Sequence, residues 1–209
     1  MKIVAAILLG LGLVGILNAA DESQEPERHY ALHIDGRRHA LTLDNAIELD
    51  GTYTNPEVVL RASATRTFTY AGLVFKYPAS FSWDAQIIGP DHKVWTMASP
   101  NVRIIIIRLP IVMTPEEQAA QLVREFSQGN PRITDVSRYF SGRTLRGKRV
   151  SVQLASEHFN LDTYALPTKT GSRLIILHDQ PPAGKPISGE GERAFRDFFK
   201  TLKDTEGPK

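Results

Sequence analysis

The hydrophobic pattern changes abruptly near the start of the chain. Lys2 is followed by an uninterrupted apolar run at residues 3–17, then by small residues that end at Ala20. A positive residue, an apolar stretch of this length and small residues before a cleavage point are typical of a secretory signal peptide. We therefore expect residues 1–20 to be cleaved after Ala20 or after the alanine before it. The alternative is an uncleaved membrane anchor at residues 3–20, because the run is nearly long enough to span a bilayer.

Alternating apolar and polar positions predict short β-strands through most of the remaining chain. Residues 21–28 are polar and contain a proline, so we expect a linker there. The next stretch predicts a β-hairpin with Asp35-Gly36 as its turn, Leu32 opposite His39 and Tyr30 opposite Leu41. Further strands are expected at residues 58–63, 67–77, 82–88, 93–98, 104–107, 133–140, 149–155, 159–165 and 173–178. The short connections between most of them favour an antiparallel sheet.

Two segments have the apolar periodicity of amphipathic helices. The first spans residues 115–128, and Gly129 is expected to end it. Its start signals are Thr114 as N-cap, Pro115 at the first position and Glu117 in a capping box. The second spans residues 189–202 after Ser188 as N-cap, and its apolar stripe consists of Phe195, Phe198, Phe199 and Leu202. Both stripes are expected to pack against the sheet.

The continuous β-branched run Ile104–Ile107 predicts a strand that is covered on both faces. Strands combined with two helices indicate an α+β fold. We expect a linker at residues 21–28, an N-terminal β extension at 29–67, an α+β domain at 68–205 and a tail at 206–209.

Aromatic residues are concentrated in "YAGLVFKYPASFSWD", residues 70–84. Phe75 and Tyr77 alternate along a predicted strand, so we expect both in the core. Phe81 and Trp83 share one face of the next extended stretch and are expected in a sheet interior or at its edge. The alternative is an exposed aromatic edge that docks a partner, because Tyr and Trp are enriched at protein interfaces.

Composition excludes several kinds of chemistry. The formal charge of +2 is too small to indicate a nucleic-acid partner. The chain has no cysteine, which excludes disulfides, thiolate metal sites, cysteine nucleophiles and a lipoprotein anchor. A metal site in the hairpin is not expected, because His29 and His33 would stand about 13 Å apart along a strand.

Catalytic motifs with nucleophilic serine, nucleotide-binding glycines or zinc-binding histidines are absent from the sequence. His178 and Asp179 are adjacent on a predicted strand and therefore point to opposite faces. The sequence thus predicts no catalytic residue and no cofactor. The alternative is an exported enzyme whose groups meet only in the fold, drawn from His92, His158, His178, Asp84 and Asp162.

One charged cluster occurs in "SRYFSGRTLRGKRV". Its members are Arg138, Arg143, Arg146, Lys148 and Arg149. Such a cluster can bind a membrane phosphate or an acidic partner, or it can be a solvated turn around two glycines.

Several phrases of the sequence together resemble the PsbP-like superfamily over about residues 68–202. They are "YAGLVFKYPASF", "TPEE" after an isoleucine-rich strand, "GKRVSVQLA" and the terminal "AFRDFFKTLK". That superfamily includes the photosystem subunit PsbP, a Ran-binding nuclear import factor and bacterial exported proteins of the DcrB type. The resemblance implies an α/β/α sandwich with a mostly antiparallel central sheet, and binding or accessory roles. The chain departs from the pattern in its additional N-terminal hairpin.

These observations predict an exported, non-enzymatic binding or accessory protein of the cell envelope, secreted or periplasmic after cleavage. The expected partner is a protein or an envelope component, with a membrane role only if residues 3–20 are retained. The candidate partner-binding residues are Phe81, Trp83, Arg143, Arg146, Lys148 and Arg149.

Overall fold

The computed structural model describes residues 21–41, 52–140, 142–154 and 157–206. The strands are β1 Tyr30–Ile34, β2 Arg37–Leu41, β3 Val58–Ala62, β4 Thr65–Phe68, β5 Leu73–Pro78, β6 Ser82–Ile87, β7 Lys93–Ala98, β8 Val102–Leu109, β9 Arg132–Phe140, β10 Arg143–Leu154, β11 Glu157–Pro167, β12 Ser172–Asp179 and β13 Lys203–Asp204. The helices are α1 Pro115–Glu125 and α2 Gly189–Thr201, with a short 3₁₀ turn at Ser127–Gly129. The predicted signal peptide, residues 42–51 of the predicted β extension and residues 207–209 of the predicted tail lie outside the described residues.

The main sheet has seven antiparallel strands in the order β6-β7-β8-β12-β11-β10-β9. Its register places one row of side chains across the sheet on a single face: Trp83, Met97, Ile104, Leu177, Asp162 and Arg149. Because side chains alternate along a strand, this row defines the two faces of the whole sheet. We call the face with this row the α2 face and the opposite one the α1 face.

Helix α1 covers part of the α1 face. Ala119 and Leu122 are buried against residues from β10, β11 and β12, with Val123 and Phe126 packed beside them. The predicted start is confirmed, because the Thr114 side chain accepts a hydrogen bond from the Glu117 amide within a complete capping box. The C-terminal end of α1 comes three residues earlier than predicted.

The last α-helical residue of α1 is Glu125, and a 3₁₀ turn carries the chain to Asn130. Asn130, rather than the predicted Gly129, adopts the left-handed conformation, with φ of 45°. Asparagine tolerates this conformation better than most residues. Gly129 is constrained for another reason, since a Cβ there would lie 2.4 Å from a Val152 methyl carbon.

The α2 face is covered by helix α2 together with a second sheet of order β13-β5-β4. Phe198 is fully buried, and its ring centroid lies 4.5 Å from that of Phe75. The predicted stripe of α2 is confirmed, with Phe195 and Leu202 buried and Phe199 partly buried. Ser188 is the N-cap of α2, as the sequence predicts. Tyr77 and Phe75 are both core residues with no exposed surface, also as predicted.

The predicted fold class, α+β with an α/β/α sandwich, is wrong. The stretch 67–77 is not one strand, because Ala71 and Gly72 have φ values of 52° and 67° and turn the chain between β4 and β5. The two resulting strands pair with each other and with β13, so a sheet occupies much of the layer that a sandwich would fill with helix. Over the residues that the structure describes, the chain is therefore mostly antiparallel β-sheet in three sheets, with two helices packed onto it.

The third sheet has the order β2-β1-β3. The predicted hairpin register is confirmed, with Leu32 opposite His39 and Tyr30 opposite Leu41. Asp35 and Gly36 both have positive φ, as a two-residue hairpin turn requires. Within the described residues, neither helix has the length and hydrophobicity needed to cross a membrane.

Candidate functional site

An open cleft of about 320 Å³ lies on the α2 face, between the edge strand β9, its neighbour β10 and the loop before α2. It is lined by Val136, Ser137, Arg138, Arg149, Pro186 and Ile187. The cleft therefore combines two guanidinium groups with a short apolar wall. It is the place where the basic cluster of the sequence comes closest to forming a binding site.

Arg149 is held in one orientation by Asp162, which lies directly opposite it on β11. The Arg149 Nε and Nη2 atoms donate to the two carboxylate oxygens at 2.5 and 2.8 Å. The Asp162 side chain is only 3% exposed, and the hydrogen bonds that Arg149 donates to this carboxylate raise the pKa of Arg149. This bidentate geometry fixes the guanidinium plane, which a lysine could not achieve.

Arg138 shares the same carboxylate at longer range. Its Nη2 atom lies 3.9 Å from Asp162 Oδ2, and its side chain is 39% exposed. Two guanidinium groups therefore share the Asp162 carboxylate, and the charge of Asp179 on the same face also acts on Arg149. Arg138 is the member with donors available to a ligand in the cleft.

Tyr164 lies two residues after Asp162 on β11 and on the same face. The residue is completely buried, and its hydroxyl has no hydrogen-bond partner. Burial and the Asp162 charge raise the pKa of Tyr164, while Arg138 and Arg149 act in the opposite direction. The hydroxyl is thus a protonated donor beside the two arginines.

Hydrogen bonds from the sheet hold the loop that forms the cleft wall. Asn160 Nδ2 donates to the Pro186 carbonyl at 3.2 Å. Asp179 accepts from the Ser188 amide at 2.8 Å and from the Ser188 hydroxyl at 2.5 Å. The Ser188 hydroxyl in turn accepts from the Gly191 amide at the start of α2. The wall is therefore positioned before any ligand arrives.

Of the four basic residues predicted to bind a partner, only Arg149 lines this cleft. Arg143 pairs with Asp204 at 3.4 Å and lies over the Phe140 ring. Lys148 pairs with Asp135 at 2.5 Å and Glu116 at 3.4 Å. Arg146 is exposed and, by register, lies on the α1 face, as Lys148 does.

The predicted set of binding residues omitted Arg138, although the cluster on which it was based contained this residue. The available clue was strand alternation. Arg138 and Arg149 share a face only once β9 and β10 are paired in the observed register.

The predicted aromatic edge is largely covered. Phe81 is 3% exposed and belongs to the core. Trp83 lies on the opposite edge strand, β6, and is partly buried against that core. Its Nε1 atom donates to the Ser23 carbonyl at 2.9 Å. These positions fit the predicted sheet interior and edge.

The five residues of the enzyme alternative do not converge. Asp162 and His158 share the α2 face but stand four residues apart along β11. His178 and Asp84 lie on the α1 face, and His92 lies in the turn between β6 and β7. Burial and the nearby Arg103 lower the pKa of His178 to about 4. In the part of the chain that the structure describes, no three His, Asp or Glu residues are placed to hold a metal ion.

No protein-family model matches the chain, and no curated protein matches it significantly. The PsbP-like kinship therefore stays a prediction.

Proposed function

We propose that this protein is an exported binding protein of the cell envelope that binds an anionic group, a carboxylate or a phosphate, in the cleft at Arg138 and Arg149. The observation that carries the proposal is the pair of guanidinium groups on one face with a single carboxylate between them. Secretion rests on the N-terminal sequence pattern, and the proposal does not depend on kinship with PsbP-like proteins.

The chemistry of the cleft favours an anion. Guanidinium groups bind carboxylates and phosphates through paired, charge-assisted hydrogen bonds. Asp162 orients Arg149, whereas Arg138 lies 3.9 Å from Asp162 and is 39% exposed, so its donors are available to an anion. Pro186 and Ile187, which line the cleft, can contact an apolar part of the same ligand.

Binding is tested by titrating the mature protein with inorganic phosphate and with acetate, followed by NMR. Hydrogen bonds to charged groups contribute about 1.5 to 3 kcal/mol, so Arg138→Gln should weaken binding about 10- to 100-fold. Arg146→Gln is the matched control, because it removes the same charge from the opposite face. Equal affinity in both variants would refute the assignment of the cleft.

A second variant reverses the direction of the effect. Asp162→Asn removes the competing carboxylate and should tighten anion binding in any variant protein that remains folded. Vesicles containing phosphatidylglycerol, compared with phosphatidylcholine alone, separate a lipid headgroup from a soluble anion as the source of the ligand. Weaker anion binding in Asp162→Asn would contradict the electrostatic argument.

Export is tested separately, by fractionating cells that express the full chain and sequencing the N-terminus of the product. A start at Asp21 or Ala20 supports a cleaved signal, whereas an intact N-terminus in the membrane fraction supports the tethered alternative.

A further inference from the structure

Residues 21–26 are bound by side chains rather than by a neighbouring strand. Four hydrogen bonds join indole, phenol or guanidinium donors to backbone carbonyls of this segment. The donor and acceptor pairs are Trp95 Nε1 to Glu22 O at 2.7 Å, Trp83 Nε1 to Ser23 O at 2.9 Å, Tyr70 hydroxyl to Gln24 O at 2.8 Å and Arg66 Nη1 to Pro26 O at 3.3 Å. The donors come from β4, β6, β7 and the turn after β4. These elements therefore form a groove in which residues 21–26 lie.

The rings that line this groove are packed against one another. Tyr70 stacks on Trp95 with a centroid distance of 6.0 Å and an interplanar angle of 3°. Trp83 also contacts Tyr70, with a centroid distance of 5.9 Å and an interplanar angle of 49°. Buried indole and phenol groups need hydrogen-bond partners for their polar atoms, and peptide carbonyls supply them here.

Two cations add charge selectivity to the groove. Lys93, which is only 5% exposed, donates to the Glu22 carboxylate at 2.9 Å. Arg66 forms an ion pair with Glu25. The groove therefore recognises both the backbone of an extended segment and two acidic side chains three positions apart.

We propose that the groove formed by Arg66, Tyr70, Trp83, Lys93 and Trp95 is a binding site for an extended acidic peptide of a partner protein, and that residues 21–26 are its resident occupant. Carbonyl recognition is independent of sequence, so any extended peptide with correctly spaced carboxylates satisfies these donors. The occupant is tethered at its end next to β1. Asp21, Ser23, Gln24 and Glu25 are exposed to solvent, whereas Glu22 is partly buried. It can leave the groove without breaking a strand ladder.

This site is separate from the anion cleft. The groove lies at the β6 edge of the seven-stranded sheet, and the cleft lies at the β9 edge. A failure of one proposal therefore leaves the other unaffected.

Intrinsic fluorescence tests the proposal directly, because Trp83 and Trp95 are the two tryptophans of the chain. The variant Glu22→Lys with Glu25→Lys should release the segment, shift tryptophan emission to longer wavelength and increase acrylamide quenching about two-fold. Glu27→Lys is the control, because Glu27 is exposed and follows the bound segment. It should leave both readouts unchanged.

A synthetic peptide with the sequence of residues 21–28 should then restore the original emission of the released variant in a saturable manner. A peptide with lysine at both glutamate positions should not. The wild-type protein should respond weakly, because its tethered segment competes at an effective concentration on the order of millimolar.

Three outcomes would overturn the proposal. They are no spectral change on charge reversal, no restoration by the peptide, and restoration by raising the protein concentration alone, which would identify a second copy as the occupant. If the charge-reversed protein does not fold, Glu22→Gln with Glu25→Gln provides the same test without introducing repulsion.

Discussion

Arg173 provides a sharp test of how the smaller sheet is attached to the rest of the molecule. It is completely buried, and its Nη2 atom lies 2.8 Å from Asp204 Oδ1 on β13. Its Nη1 atom also donates to the carbonyls of Ala71 and Gly72 at 3.2 Å each. One guanidinium thus joins β12, the turn before β5 and the C-terminal strand.

The perturbation is Asp204→Asn, which keeps the shape of the side chain and removes its charge. Breaking a buried ion pair by removing one partner costs about 3 to 5 kcal/mol, because the remaining charge stays buried. An asparagine oxygen still accepts one hydrogen bond, so we expect the lower end, about 3 kcal/mol. For a chain of this size that corresponds to a Tm lower by about 6 to 12 °C.

The assay is equilibrium urea denaturation, in which the midpoint should fall while the m-value stays unchanged. Asp197→Asn is the matched control, because the Arg196–Asp197 pair is 63% and 47% exposed and should contribute less than about 1 kcal/mol. A loss in Asp204→Asn no larger than in this control would refute the reasoning. It would mean that the carbonyl contacts alone stabilise the buried Arg173.

Three further predictions concern stability. The pKa of His178 falls to about 4 in the fold against 6.5 in the unfolded chain, so about 3 kcal/mol of stability present above pH 6.5 should be lost as the pH falls to 4. Urea denaturation of His178→Leu at each pH should lack this loss. A His178→Leu stability profile with the same pH dependence as the wild type would contradict the prediction. Gly147→Ala would place a methyl group 2.2 Å from the Thr163 carbonyl oxygen and should lower the free energy of unfolding by about 1 to 3 kcal/mol. Gly89→Ala meets nothing within 4 Å and should be neutral. Equal urea midpoints for the two variants would exclude the clash. Thr114→Ala should cost about 1 kcal/mol through loss of the helix cap, and a wild-type urea midpoint would show that the cap contributes little.

Local features of the fold could be predicted from the sequence. The capping box at Thr114 and the register set by Asp35-Gly36 depend on residues within a few positions of each other. Their hydrogen bonds close over short distances in the chain, so composition and spacing determine them. The buried stripe of α2 could be predicted for the same reason, because the spacing of its apolar residues alone defines the apolar side of the helix.

Sheet membership could not be predicted in the same way. The turn at Ala71 and Gly72 lies inside a continuous apolar and aromatic stretch, where alternation alone favours one long strand. Whether β5 joins the central sheet or pairs with β4 and β13 depends on contacts such as Arg173 with Asp204, which are distant in sequence. The layer arrangement followed from those contacts, and the sandwich prediction failed there.

The basic cluster shows how strand pairing determines chemistry. Along β10, Arg149 and Lys148 are adjacent and therefore point to opposite faces. Lys148 meets exposed acids and is screened by solvent, whereas Arg149 meets a buried carboxylate and is fixed beside Arg138. A count of positive charges treats these residues as equal. Because a binding site needs convergent donors with restrained geometry, only the α2 face of the cluster has the properties of one.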